Sequence, residues 1–305
     1  MKLLIATLLV AVITAYTQII EQKTREALTK EKSASFNIYV INGRFGPETV
    51  EYFRNHNFKF ATLQTQGAIV RRNDKSAIDL SRVERFLNKR FPNADTTGML
   101  VLDLESEPFK DLRDYDATDS RFKAAEKQWL TLVEKVKRLR PELKVGVYGI
   151  PFRSYYDWQK KKYNQPGKMN NLLSEVDFIA PSLYIMYSDE KVGHNRNIRY
   201  LKENLDVALT YGKELGKPVI PFIWHRVHYS DDVKGQVLID KEVFADYVNY
   251  IASYSRDNYK VNGVLWWDYS NSSSKIKNMK GVDSFSFYDS ITVDYARKIV
   301  GELNY

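Results

Sequence analysis

Asp103 and Glu105 stand two residues apart at the end of an apolar run, Gly98-Met-Leu-Val-Leu-Asp-Leu-Glu-Ser-Glu-Pro108. Side chains alternate across a strand, so residues i and i+2 share a face and this spacing aims both carboxylates the same way. Two carboxylates that close repel as anions, and one of them should keep its proton to a higher pH than an isolated side chain does. A carboxyl that can deliver a proton to a glycosidic oxygen is the central requirement of sugar cleavage. Glu105, at the exposed end of the pair, is the expected acid. Asp103, one pleat deeper, is expected to orient and polarise. A lone Asp-x-Glu more often caps a helix or pairs with a lysine, so this reading needs support from other strand ends.

The ends of the other apolar runs are aromatic: Tyr148, Tyr184 with Tyr187, Trp224 with His225, and Trp266 with Trp267 and Asp268. Aromatic faces stack on the C–H surface of a pyranose, although a strand-end aromatic taken singly is more often core. Arg153, Arg226 and Lys275 follow strand ends, where a cation could meet a sugar carboxylate. Lys160-Lys-Lys162 reads as a solvated loop. His194, His225 and His228 form no HExxH or comparable metal spacing. No Gly-x-Ser-x-Gly elbow is present, which removes support for a serine hydrolase.

These residues must be held by something. Apolar runs recur at 36–41, 58–63, 98–105, 145–150, 176–184, 218–224 and 263–269. Short, nearly continuous apolar strands indicate a parallel sheet covered on both faces. Helical periodicity lies between them: Phe122, Ala125, Trp129, Leu132, Val136 and Leu139 before Pro141; Leu201, Leu205, Ala208 and Leu209 before Gly212; and Phe244, Val248 and Ile251. This alternation predicts an α/β fold, either a barrel or a doubly wound sheet. No glycine-rich phosphate fingerprint follows a strand, which favours a distorted parallel (β/α) TIM-like barrel of about seven strands.

A chain of 305 residues with 44% hydrophobic content can fill one such barrel, and no Pro/Gly/Ser-rich linker divides it. Residues 1–15 carry one lysine, an apolar run and a small residue, the pattern of a signal peptide. Residues 16–35 read as a flexible polar lead and 36–305 as a single barrel domain. Export, to the extracellular space or a bacterial periplasm, is the expectation, with no stable membrane insertion once the signal is cleaved. The absence of cysteine excludes disulfides, thiolate metal sites and a cysteine nucleophile. The net charge of +8 favours encounter with polyanions. The basic residues are scattered rather than gathered in a stripe, so nucleic acid is not the expected partner. Asn271-Ser272-Ser273 is a glycosylation sequon where the source glycosylates.

The segment Val101-Leu-Asp-Leu-Glu-Ser106 resembles the catalytic strand of the hyaluronidases, glycoside hydrolase family 56. The similarity continues in order through Phe36-Asn-Ile-Tyr39, Arg140-Pro141, Gly146-Val-Tyr-Gly-Ile-Pro151, Ala180-Pro-Ser-Leu-Tyr184, Pro218-Val-Ile-Pro-Phe222 and Gly263-Val-Leu-Trp266. The resemblance implies a secreted endo-acting N-acetylhexosaminidase that needs no cofactor and takes an anionic glycosaminoglycan such as hyaluronan or chondroitin. It implies Glu105 as acid/base, Asp103 as its partner at the substrate's acetamido group, Tyr148 and Tyr184 as contacts to that sugar, and Trp266 as its floor. Tyr187 and Arg226 are further candidate substrate contacts. The family uses the substrate's own acetamido oxygen as nucleophile, with retention. The chain departs from the family at Leu104, where an aromatic residue is common, and at Glu107, where a basic group is expected. A non-catalytic carbohydrate-binding barrel and a chitinase-like hydrolase are the alternatives.

Overall fold

The computed structural model describes residues 36–268 and 285–303. The expected signal peptide and lead, Tyr269, the Asn271 sequon and Lys275 lie outside the described residues.

Seven parallel strands form the barrel: β1 Asn37–Ile41, β2 Lys59–Thr65, β3 Gly98–Asp103, β4 Leu143–Tyr148, β5 Phe178–Ala180, β6 Phe222–Ile223 and β7 Gly263–Trp266. Their order is β5-β4-β3-β2-β1-β7-β6. Two parallel bridges, Ile179 to Val219 and Ser182 to Phe222, join β5 to the β6 stretch and close the ring. The fold is the parallel (β/α) barrel read from the sequence. Two short hairpins, Val70–Arg71 with Asp74–Ile78 and Ser255–Arg256 with Tyr259–Lys260, stand outside the ring.

Parity decides what each strand shows to the inside. Val101, Tyr148, Phe178, Ala180, Phe222, Trp224 and Leu265 meet in one buried cluster, with Tyr39, Leu63 and Trp267 packed against it. Each strand contributes alternate residues, as the pleat requires. Gly146 of β4 belongs to this layer. A Cβ there would lie 2.3 Å from the Phe178 ring, so only glycine lets β5 bring that ring across.

The outer layer holds helices α1 Pro47–Asn55, α2 Leu80–Arg90, α3 Glu107–Asp114, α4 Ser120–Leu139, α5 Asp157–Tyr163, α6 Asn170–Glu175, α7 Asp189–Val192, α8 His194–Leu215, α9 Lys241–Ser253 and α10 Phe285–Leu303. Helix α4 shows the logic. Asp119 caps it by accepting from the Arg121 amide, and Phe122, Ala125, Trp129, Leu132, Val133 and Val136 bury one face. Helix α8 runs past Gly212, which the sequence reading took as its stop, and ends at the left-handed Gly216. Lys160, Lys161 and Lys162 form the exposed last turn of α5 rather than a loop. Helix α10 returns to the start of the fold, where the Asp289 carboxylate accepts from the backbone N–H of Glu48 and Thr49 at the head of α1.

Candidate active site

The C-terminal ends of the strands surround a cleft with two chambers. The larger, about 420 Å³, is walled by Phe109 and Arg113 of α3, by the segment after β4 with Phe152, Arg153 and Tyr155, and by Tyr200 of α8. The smaller, about 170 Å³, is lined by Leu63, Asp103, Tyr184, Trp224, His228 and Trp267. Glu105, Tyr148 and Tyr229 belong to both, so Glu105 stands where the chambers meet. A cleft of this size, in which charged and polar side chains such as Glu105, Arg153 and Ser182 stand among aromatic walls, suits a small-molecule or oligosaccharide ligand.

Asp103 is the last residue of β3, paired in register with Thr65 of β2. Glu105 lies just beyond the strand and is exposed, while Leu104 between them is fully buried on the opposite side. The departure at Leu104 therefore lies in the outer packing and not in the cleft. Burial first, and then the negative charge of Glu105, push the Asp103 carboxyl up to about 7, against the opposing pull of Arg44. The expectation that one of the two acids holds its proton thus falls on Asp103.

Tyr148 ends β4 with its hydroxyl donating to Ser182 Oγ over 3.2 Å and its ring edge-on to Phe222 at 4.9 Å. Tyr184 follows β5, 6.2 Å from Tyr148 between ring centres. Burial raises both phenols well above their usual range, so each remains a neutral hydrogen-bond donor at any physiological pH. Trp267 stacks on Tyr184 at 5.8 Å and meets Trp224 edge-on at 5.3 Å.

Three sequence candidates lie elsewhere. Trp266 is fully buried on the outer side of β7, edge-on to Phe45 and Phe53 and donating to His225 Nδ1 over 3.0 Å. The aromatic floor of the small chamber belongs instead to Trp267, because the inward parity of β7 runs through Leu265 to residue 267. Arg226 is also buried away from the cleft. It donates to the Gln236 carbonyl, and its guanidinium lies 4.8 Å from the Tyr288 ring. The chain leaves the barrel after His225 and pairs Arg226 with Leu238, which turns that side chain underneath. Tyr187 lines neither chamber. It packs on Tyr155 at 4.7 Å and meets the Tyr156 hydroxyl at 3.3 Å, one layer outside the larger chamber.

Beneath the small chamber lies a buried polar chain. Trp266 donates to His225 Nδ1, which leaves the proton on Nε2 to be donated to the Tyr288 hydroxyl. Tyr288 donates to Asp268, whose other oxygen accepts from the Trp224 indole over 2.9 Å. Burial holds His225 down at about 4, so this chain contains a neutral imidazole. Its effect on the cleft is mechanical: it fixes the Trp224 ring. His194 lies outside the cleft, between Asp189 at 2.9 Å and Asp246 at 3.1 Å. Among the described residues no cluster of three or more acids and histidines could hold a metal ion.

No family model and no curated protein matches the sequence. Solved structures do. A structure of bee venom hyaluronidase matches with a TM-score of 0.64 at 14% identity, covering 89% of this chain and 100% of that one. A second, of the same enzyme in complex with a hyaluronic acid tetramer, matches with a TM-score of 0.60 at 14% identity, covering 88% and 98%. The chain has a TIM-barrel fold. At this identity the likeness is one of fold, and function rests on the cleft itself.

Sequence reading missed Arg44, Phe109, Arg113, Ser182 and Tyr229. Arg44 and Tyr229 sit on loops and Phe109 and Arg113 on the short helix α3, where the strand alternation gives no direction; Ser182 bridges to Phe222 and continues the inward parity of Phe178, Ala180 and Tyr184, a signal that was available. Arg153 was readable only as a cation after a strand.

Proposed function

We propose that this chain is an exported, retaining endo-glycosidase that cleaves N-acetylhexosaminidic bonds of a glycosaminoglycan such as hyaluronan or chondroitin. The observation that carries the reading is the position of Glu105 at the junction of the two chambers, with Asp103 and a wall of neutral phenols and indoles on one side of it. A glycosidic oxygen bridging two rings, one in each chamber, would lie beside Glu105.

The chemistry follows from the groups present. An N-acetylated ring in the small chamber rests against Trp267 and Trp224, with its acetamido N–H donating to Asp103. That hydrogen bond favours the ionised form of Asp103, and the proton it held becomes available to Glu105. The acetamido carbonyl oxygen forms a bond to the anomeric carbon while the glycosidic C–O bond breaks, its electron pair leaving on the oxygen that takes the Glu105 proton. Asp103 stabilises the positive charge on the acetamido nitrogen. Water, giving its proton to the Glu105 carboxylate, then opens the cyclic intermediate with net retention. Tyr148 and Tyr184 donate hydrogen bonds without competing as bases.

A side-by-side digest of hyaluronan, chondroitin and chitin tests this. The wild type should release reducing ends from one of the first two, and Glu105→Gln should lose at least about a thousandfold of that rate while still binding. Release from chitin alone would replace the substrate class with that of a chitinase-like enzyme. Release from none, with binding retained, would leave a carbohydrate-binding barrel.

A further inference from the structure

Arg153 is a half-buried cation in the wall of the larger chamber. One of its terminal nitrogens donates to Ser182 Oγ over 3.0 Å and the other to His228 Nε2 over 2.7 Å. Neither partner is charged. His228 is held down at about 3 by burial and then by Arg153 itself; a guanidinium can only donate, so Nε2 accepts from it, while Nδ1 faces Ser230, 2.8 Å from its Oγ and 3.2 Å from its backbone nitrogen. Among the described residues no carboxylate lies within ion-pair distance of Arg153, and Glu105 reaches it only as a weak, longer-range influence. Arg113, the other cation of this chamber, is by contrast occupied by two parallel bonds to Asp114 at 2.9 Å.

A guanidinium withdrawn from water and held only by neutral acceptors is costly, and a pre-oriented planar fork is suited to one kind of visitor, a carboxylate or sulfate. Its two neutral partners fix its plane and use two of its five N–H groups. Among the described residues no anion lies within ion-pair distance of the remaining donors.

We propose that Arg153, oriented by Ser182 and His228, is the specificity-determining residue of an anionic subsite in the larger chamber, which takes the acidic group of the sugar ring next to the bond that Glu105 protonates. This rests on the reading of the cleft as a glycosidase site and adds to it the chemistry of the neighbouring ring. His228 acts through Arg153 and is a positioning residue.

The test compares hyaluronan with hyaluronan whose carboxyl groups have been reduced to alcohols. The wild type should prefer the native polymer by about 10- to 100-fold in kcat/KM, the range of one charge-assisted hydrogen-bond pair. In Arg153→Gln that ratio should fall toward one. An equal loss on both polymers, leaving the ratio unchanged, overturns the subsite. Unsulfated chondroitin and chondroitin sulfate form the second arm: an Arg153-dependent preference for the sulfated polymer identifies sulfate, and its absence alongside a carboxyl preference identifies the uronate. If the wild type cleaves no polymer, the glycosidase reading fails, and calorimetric titration with native and reduced oligosaccharides decides the subsite separately. Tighter binding of the native form that is lost in Arg153→Gln supports it, and equal binding or none overturns it. Should Arg153→Gln unfold, Arg153→Lys carries the comparison, keeping the charge but losing the fork, and must show a reduced preference.

Discussion

Trp267 turns its indole into the small chamber and Trp266 turns its own into the layer between β7 and the helices. Trp267→Ala should therefore lower kcat/KM by about 100-fold through loss of substrate positioning, with the urea midpoint little changed. Trp266→Ala should do the opposite, destabilising by about 3–5 kcal/mol in equilibrium unfolding. Composition cannot separate two adjacent tryptophans. Only the parity of β7 can, and applying to this strand the alternation that paired Asp103 with Glu105 was the available signal. Asp103 gives a second test. Its carboxyl keeps a proton up to about 7, whereas the unfolded chain releases it in the ordinary acid range. Folding stability therefore declines as pH rises between those two points and is flat above them. Asp103→Asn, which has no charge to bury, should gain Tm over the wild type at pH 8, by about 2–4 °C for each kcal/mol released, and gain least at pH 4. An equal Tm difference at both pH values would refute the burial argument.

At the scale of elements, seven strand positions and the helices α4, α8 and α9 were legible because their apolar residues repeat at the period of their structure. The sequence ends of these strands were not. The runs ending at Glu105, Tyr184 and Trp224 continue apolar after the ladder stops at Asp103, Ala180 and Ile223, since residues that line a cleft are as aromatic as those that fill a core. The two hairpins were invisible for the opposite reason: their strands are short and largely exposed, with little hydrophobic pattern to read. Arg226 was misread because it follows a strand in sequence but not in space, the chain having already bent toward Leu238. One element contact carries a prediction of its own. The Asp289 carboxylate is the only described side chain that satisfies the first amides of α1, whose own N-cap residue is Gly46 and offers no side-chain bond. Asp289→Ala should cost about 1–2 kcal/mol, read from the unfolding midpoint, as removal of other helix caps does.

For the whole molecule, the excess of 46 basic over 38 acidic residues is the relevant quantity. A net positive charge favours encounter with a polyanion in general, and salt screens such an attraction over about 8 Å at physiological ionic strength. Affinity for an anionic polymer should fall by at least about tenfold between 50 mM and 500 mM salt, measured by titration, while affinity for a neutral chitin oligomer stays level. A salt-independent affinity for both would assign recognition to the chambers alone. Among the described residues no helix is long and apolar enough to cross a membrane.

The bond from Asp289 to the head of α1 joins residues about 240 positions apart. During synthesis α1 emerges with its first amides unsatisfied and must wait until almost the entire barrel has left the ribosome before its cap arrives. Nascent chains stalled before residue 289 should accordingly stay open to protease at α1, however many strands precede the stall.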